Sequence, residues 1–256
     1  MPISAMTTFL GSIVMLTSWF IIGRRMKADP QAVTVQVRYL HNFFLFMGIF
    51  CLIMAIPTLA IVFSPENFPA LMAWGYTIGH IFTYVAFTYI LRLTFSLVPR
   101  LANKDWLAIA VGGFATVFIT IATFLTMALG THPNFNPTDN LIMYNAAPVV
   151  GVSIAVFATL AVLPTTILML VNGFRSPGSR VRSFLLGGGL SLTMVSGPMH
   201  DVARTSVVYA AADILSIIGQ IIIAYGMLYH FSERTAWVKG TGDQPAGSNP
   251  AHTTGI

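Results

Sequence analysis

Seven long runs of apolar, almost uncharged residues dominate this chain and limit what it can fold into. The runs cover residues 7–22, 39–63, 69–97, 106–130, 143–172, 183–199 and 206–230. A bilayer core about 30 Å thick is crossed by roughly 20 helical residues, and a helix pairs its own backbone groups where water is absent. Because 55% of the residues are hydrophobic and only 8% are charged, the sequence predicts an all-α polytopic membrane protein. We expect a bundle of seven transmembrane helices.

The basic residues indicate how this bundle is oriented. Twelve of the thirteen fall in or beside alternate connections or in the C-terminal segment: Arg24, Arg25, Lys27, Arg38, Arg92, Arg100, Lys104, Arg175, Arg180, Arg182, Arg234 and Lys239. Only Arg204 falls on the other side. Cytoplasmic connections carry an excess of lysine and arginine, so seven spans predict an outer N-terminus and a cytoplasmic C-terminus. Because the first basic cluster follows the first run, we expect that run to be a retained helix.

Short connections between the runs predict one domain over residues 1–238. Residues 239–256 are rich in glycine, proline, serine and threonine and predict a disordered cytoplasmic tail. Cys51 is the only cysteine, which excludes an internal disulfide and cysteine-based zinc or iron–sulfur centres. No basic stripe or aromatic platform indicates nucleic-acid binding. We expect the bilayer as the principal partner, in the cytoplasmic membrane of a prokaryote.

A few polar groups fall near the outer ends of the third, sixth and seventh runs. Ionisable side chains at membrane depth are costly and usually pair or serve a function. Counting along the helices puts His80 and Asp213 at similar depth, so we expect them to meet, with a rim where the sixth helix turns into the seventh. The candidate ligand-binding residues are His80, Asp213, His200, Asp201, Arg204, Tyr76 and Gln220. The plainer interpretation is that Asp201 caps a helix, Arg204 is an interfacial charge and Asp213 bonds a tyrosine.

Histidines near both ends of the bundle raise two cofactor hypotheses. His80 and His200 on the outer side, with His41 and His230 on the inner side, form two layers suited to b-type haem. Interfacial anchoring is the plainer explanation of the inner pair. His80, His200 and Asp213 also form a candidate site for a divalent metal, although no HxxxH or HExxH spacing supports it.

Three functions therefore compete, and no catalytic residue is indicated. The first is a sensor or binding protein that recognises a small ligand, ion or proton at the outer cluster and passes the signal to a separate partner. The second is a haem protein that transfers electrons across the membrane. The third is an ion- or proton-coupled transporter or a metal-dependent membrane enzyme. Covalent retinal is excluded because Lys27, Lys104 and Lys239 all lie outside the runs.

Overall fold

A computed structural model describes residues 3–63, 65–130, 134–136, 141–143, 147–202 and 205–242. Within these residues the chain forms seven α-helices, as the apolar runs predict. They are α1 (Ile3–Ala28), α2 (Val35–Phe63), α3 (Phe68–Leu97), α4 (Asp105–Ala128), α5 (Pro148–Arg175), α6 (Arg180–Val202) and α7 (Ser206–Gly242). The helical membrane-protein character is therefore confirmed.

Six of the helices in the described residues are long and apolar enough to cross a membrane. These segments are Met6–Ala28, Val35–Pro57, Phe68–Leu97, Asp105–Ala128, Pro148–Arg175 and Ser206–Ser232. The helix α6 is not among them, because it begins with Arg180 and Arg182 and carries glycine, serine and threonine through its middle. Six spans are thus supported by length and composition, and the seventh stays a prediction.

The helices pack as a ring that leaves α4 on its outside. Each of α1, α2 and α3 packs against the next helix, α3 also packs against α5, and α5, α6 and α7 follow in order. Contacts between α7 and α1 close the ring, while α4 lies mainly against α3. Short connections make consecutive helices antiparallel. The connections at 29–34, 98–104 and 176–179 thus share one end of the bundle, which we call the basic end; the start of α7 at Ser206 lies at the opposite end.

Glycines bring α6 and α7 unusually close together. A Cβ atom added at Gly189 would lie 2.6 Å from the backbone oxygen of Gly219, and one added at Gly219 would lie 2.7 Å from the oxygen of Gly189. Small residues allow such backbone contact between membrane helices. The glycines of α6 and α7 therefore serve close packing of these two helices.

Two features depart from a plain seven-helix outline. A short antiparallel pair, β1 (Asn134–Asn136) with β2 (Leu141–Met143), lies between α4 and α5. The helix α7 continues to Gly242, so the boundary predicted between residues 238 and 239 falls inside a helix. Residues 243–256, the remainder of the predicted tail, lie outside the described part of the chain.

Candidate functional site

Asp213 is the centre of a polar cluster at the end opposite the basic end. It is the eighth residue of α7, which begins at Ser206, and about two helical turns separate it from that helix end. Its side chain is 13% exposed. Both carboxylate oxygens have partners: Oδ2 accepts a short hydrogen bond from the Thr7 hydroxyl, and Oδ1 lies 2.7 Å from His200 Nε2. One carboxylate therefore joins α1, α6 and α7.

His200 is held in place from three sides in the last turn of α6. Its Nδ1 lies 2.8 Å from the backbone oxygen of Ser196, one turn earlier on the same helix. The ring meets the buried Tyr209 edge to face, with 4.7 Å between the ring centroids. With Nδ1 tied to its own helix, Nε2 is directed at Asp213, so the imidazole has a fixed orientation before any ligand arrives.

The geometry of these bonds fixes the number of protons in the cluster. The Ser196 oxygen can only accept, so His200 Nδ1 must carry a hydrogen. At 2.7 Å, Nε2 and Oδ1 can then bond only when a proton lies between them. The pair is either imidazolium with carboxylate or neutral imidazole with carboxylic acid, and both forms have zero net charge. Loss of that proton would leave two acceptors facing each other.

A tightly packed layer lies one turn below the cluster. A Cβ atom added at Gly11 would lie 3.7 Å from Cys51 Sγ and 3.9 Å from Ile217 Cγ1. Gly11 follows Thr7 by one turn of α1, and Ile217 follows Asp213 by one turn of α7. Cys51, which is buried in α2, therefore borders the same helices that the Thr7 and His200 bonds hold together.

The predicted partnership of His80 with Asp213 needs correction. His80 Nδ1 lies 2.7 Å from the backbone oxygen of Tyr76, and its ring packs against aromatic rings of α2 and α3. The ring centroids of Phe50, Tyr76 and Tyr84 lie 5.3, 4.0 and 6.0 Å away. The structure places His200 beside Asp213 instead, because α6 and α1 flank α7 whereas α3 packs against α2, α4 and α5.

The other candidate residues of the outer set are separated from this pair or lie outside the description. Gln220 is buried, and its Nε2 donates to Ser216 Oγ at 3.0 Å, within α7. Arg204 lies outside the described residues, and so does the side chain of Asp201. Thr7 was missed, because a single hydroxyl in an apolar run gives no signal in the sequence.

The histidines predicted as inner haem ligands are engaged in other ways. His230 Nδ1 accepts a hydrogen bond from Arg182 Nη1 at 2.5 Å, and its Nε2 donates to the Ala32 oxygen at 3.0 Å. His41 stacks on Trp19 with 5.6 Å between ring centroids. Both nitrogens of His200 and both of His230 thus have protein partners, and these placements give the haem hypothesis no support.

The three residues predicted as metal ligands are not brought together either. Among the described residues, no group of three or more His, Cys, Asp and Glu side chains lies together as metal ligands would. His200 and Asp213 adjoin, but His80 is held elsewhere, as described above. Within the described residues, the cluster therefore offers two of the three protein ligands that a typical zinc site requires.

A second aspartate forms an ion pair at the basic end, which the sequence analysis did not identify. Arg92 of α3 donates to both oxygens of Asp105 at the start of α4, with a shortest distance of 2.6 Å. Tyr39 of α2 donates its hydroxyl to the same carboxylate at 3.1 Å. The guanidinium lies over the rings of Tyr39 and Tyr89, 4.6 and 5.3 Å from their centroids. This cluster joins α2, α3 and α4.

Comparison with known proteins does not assign the chain to a class. No protein-family model, curated protein or solved structure matches it significantly. The function must therefore be inferred from the site itself.

Proposed function

We propose that this chain is an integral membrane sensor that responds to protonation of the cluster formed by Thr7, His200 and Asp213. The observation that carries the proposal is the 2.7 Å approach of His200 Nε2 to Asp213 Oδ1 while His200 Nδ1 bonds a carbonyl oxygen. This arrangement is stable only with a proton between the two side chains. Histidine is the side chain whose ordinary titration falls nearest to physiological pH.

The cluster also offers a way to convert proton loss into movement. It is the polar link between the N-terminal helix α1 and the closely packed pair of α6 and α7. After deprotonation, His200 must give up either Asp213 or the Ser196 carbonyl. The groups that face the pair are Thr7 from α1 and Tyr209 from α7, with Cys51 of α2 one layer below. None of these described neighbours carries a permanent positive charge that would compensate for the charge of the lost proton.

The orientation follows from treating α6 as a seventh span. Its 23 residues extend about 35 Å at the helical rise, enough to cross a bilayer core. Its glycine, serine and threonine side chains lower its apolarity, but close packing against neighbours suits such residues in membranes. Seven spans with the basic end in the cytoplasm place the cluster toward the outside, in the cytoplasmic membrane of a prokaryote. A separate partner would receive the signal.

The lone cysteine provides a direct test. The purified full-length chain in lipid nanodiscs is treated with a thiol-specific disulfide reagent in acidic and alkaline buffers, and the labelling rate of Cys51 is recorded. We expect Cys51 to be protected while the cluster is protonated and to become accessible when proton loss loosens α1 from α7. The matched control is Asp213→Asn, whose carboxamide can accept from Thr7 and donate to an unprotonated His200 Nε2, so that this contact does not need the shared proton.

The result is read as the change with pH in the ratio of wild-type to control rates. The negative charge of Asp213 acts on the Cys51 thiol and disfavours its thiolate, so this electrostatic effect alone would lower the wild-type rate and not raise it. A ratio that rises with pH supports the proposal, and a ratio that stays constant contradicts it. Proteoliposomes with an entrapped pH indicator separate sensing from transport. A sensor leaves the internal pH unchanged under a proton gradient, whereas proton flux abolished by Asp213→Asn would favour the transporter.

A further inference from the structure

A cavity of about 350 Å³ opens at the basic end, away from the protonatable cluster. Residues from α2, α3, α5, α6 and α7 line it, so it lies among the helices of the ring. Its volume falls within the range of small-molecule and cofactor sites, about 300–1,000 Å³. Neither the proposed proton site nor the Arg92 and Asp105 pair contributes to its lining.

The lining of the cavity changes from apolar to basic along its depth. The floor includes Leu40, Met169 and Leu186, which are all buried. The rim includes Arg175 and Arg182, together with polar side chains such as Gln36. None of the described lining residues is an aspartate or a glutamate. The cavity is therefore suited to a molecule with an apolar tail and a negatively charged head.

Helix ends lie beside the arginines at the rim. The helices α2 and α6 begin at Val35 and Arg180, and residues of the first turns of both helices line the cavity. A helix N-terminus carries a partial positive charge that favours anions. The last turns of α3 and α5 also line the cavity and carry the opposite partial charge, so the arginines supply the net positive charge of the rim. Arg175, at the end of α5, is exposed and accessible from the interface.

We propose that this cavity binds a phospholipid with an anionic headgroup. The phosphate lies at Arg175 and the helix N-termini, and one acyl chain lies along the floor formed by Leu40, Met169 and Leu186. Basic pockets between transmembrane helices on the cytoplasmic side recognise anionic lipid headgroups in this way. Such a bound lipid would join α2, α5 and α6 at the end of the bundle where their polar connections lie.

Native mass spectrometry of the full-length chain, titrated with phosphatidylglycerol or phosphatidylcholine of identical acyl chains, tests the proposal. We expect tighter binding of phosphatidylglycerol. Arg175→Gln should weaken it about fivefold, since a basic residue near the surface contributes about that much to anionic-lipid binding. The matched control, Arg100→Gln, removes the same charge from an exposed position at the same end of the bundle but outside the cavity, and should leave the affinity unchanged.

Two further variants and a competition experiment complete the test. Arg175→Lys should restore most of the affinity, and Leu168→Trp, which fills the apolar part of the cavity, should weaken binding of both lipids. Soluble glycerophosphate should not displace the lipid. Equal affinities for the two lipids, equal losses in Arg175→Gln and Arg100→Gln, or displacement by glycerophosphate would overturn the proposal. If Arg175→Gln fails to fold, the Leu168→Trp and glycerophosphate arms decide it.

Discussion

In the described part of the chain, Asp105 and Asp213 form ion pairs near opposite ends of the bundle, and their partners differ in one chemical respect. Asp105 at the basic end is bound by the forked guanidinium of Arg92, which keeps its charge at any physiological pH. Asp213 at the opposite end is bound by His200, whose charge depends on pH. The first pair fastens α3 to α4 at any physiological pH. In the proposed function, the second keeps both bonds of His200, to Asp213 and to the Ser196 carbonyl, only while it holds a proton.

The carboxylates of the two pairs also differ in their exposure to water. The side chains of Arg92 and Asp105 are 22% and 34% exposed, so water screens their attraction. Those of His200 and Asp213 are 23% and 13% exposed, so the carboxylate depends more on its two protein partners. Removal of a partner should therefore cost more at Asp213 than at Asp105.

The largest effect is expected from Asp213→Ala. It removes the carboxylate that accepts from Thr7 and bonds His200 Nε2, and we expect a loss of about 2–3 kcal/mol in the free energy of unfolding. Titration with sodium dodecyl sulfate, followed by circular dichroism, measures this loss. Asp105→Ala should cost about 1 kcal/mol because its pair is more exposed. A larger loss at Asp105 than at Asp213 would reverse the comparison.

A somewhat smaller effect is expected from Gly189→Ala, which tests whether close packing positions the proton site. The added Cβ would lie 2.6 Å from the Gly219 oxygen and 3.0 Å from the Ile223 nitrogen. Backbone atoms cannot rotate away from the added Cβ as a flexible side chain can. The helix α6 must therefore shift away from α7, at a cost of about 2 kcal/mol in the free energy of unfolding. The matched control is Gly188→Ala, whose added Cβ would meet nothing within 4 Å. Equal unfolding free energies for the two variants would contradict this prediction.

The smallest effect is expected from Arg92→Lys. A lysine keeps the charge but loses the forked contact with Asp105 and the stacking on Tyr39, at a cost of about 0.5–1 kcal/mol. Unfolding curves in acidic and alkaline buffers should show the same loss, because neither partner titrates between them. A loss found in only one of the two buffers would show that this pair is also a pH-dependent contact.

The sequence predicted the helices well because the bilayer imposes a length and an apolarity that are visible residue by residue. It also named Asp213 and His200 as candidates, since ionisable groups stand out in apolar runs, and the structure brings these two side chains together. It paired Asp213 with His80 because depth along a helix can be counted from the sequence, whereas the order of helices around the ring cannot. Thr7 and the Arg92 and Asp105 pair were missed for the same reason: their roles arise from neighbours distant in sequence.

The proton between His200 and Asp213 is observed most directly by ¹⁵N nuclear magnetic resonance of ring-labelled histidine, assigned by comparison with His200→Gln. We predict that both ring nitrogens carry a hydrogen while the pair is protonated, and that the ring signals change in one step that Asp213→Asn abolishes. A His200 ring with a bare Nδ1 and a protonated Nε2, unaffected by Asp213→Asn, would contradict the proposed proton site.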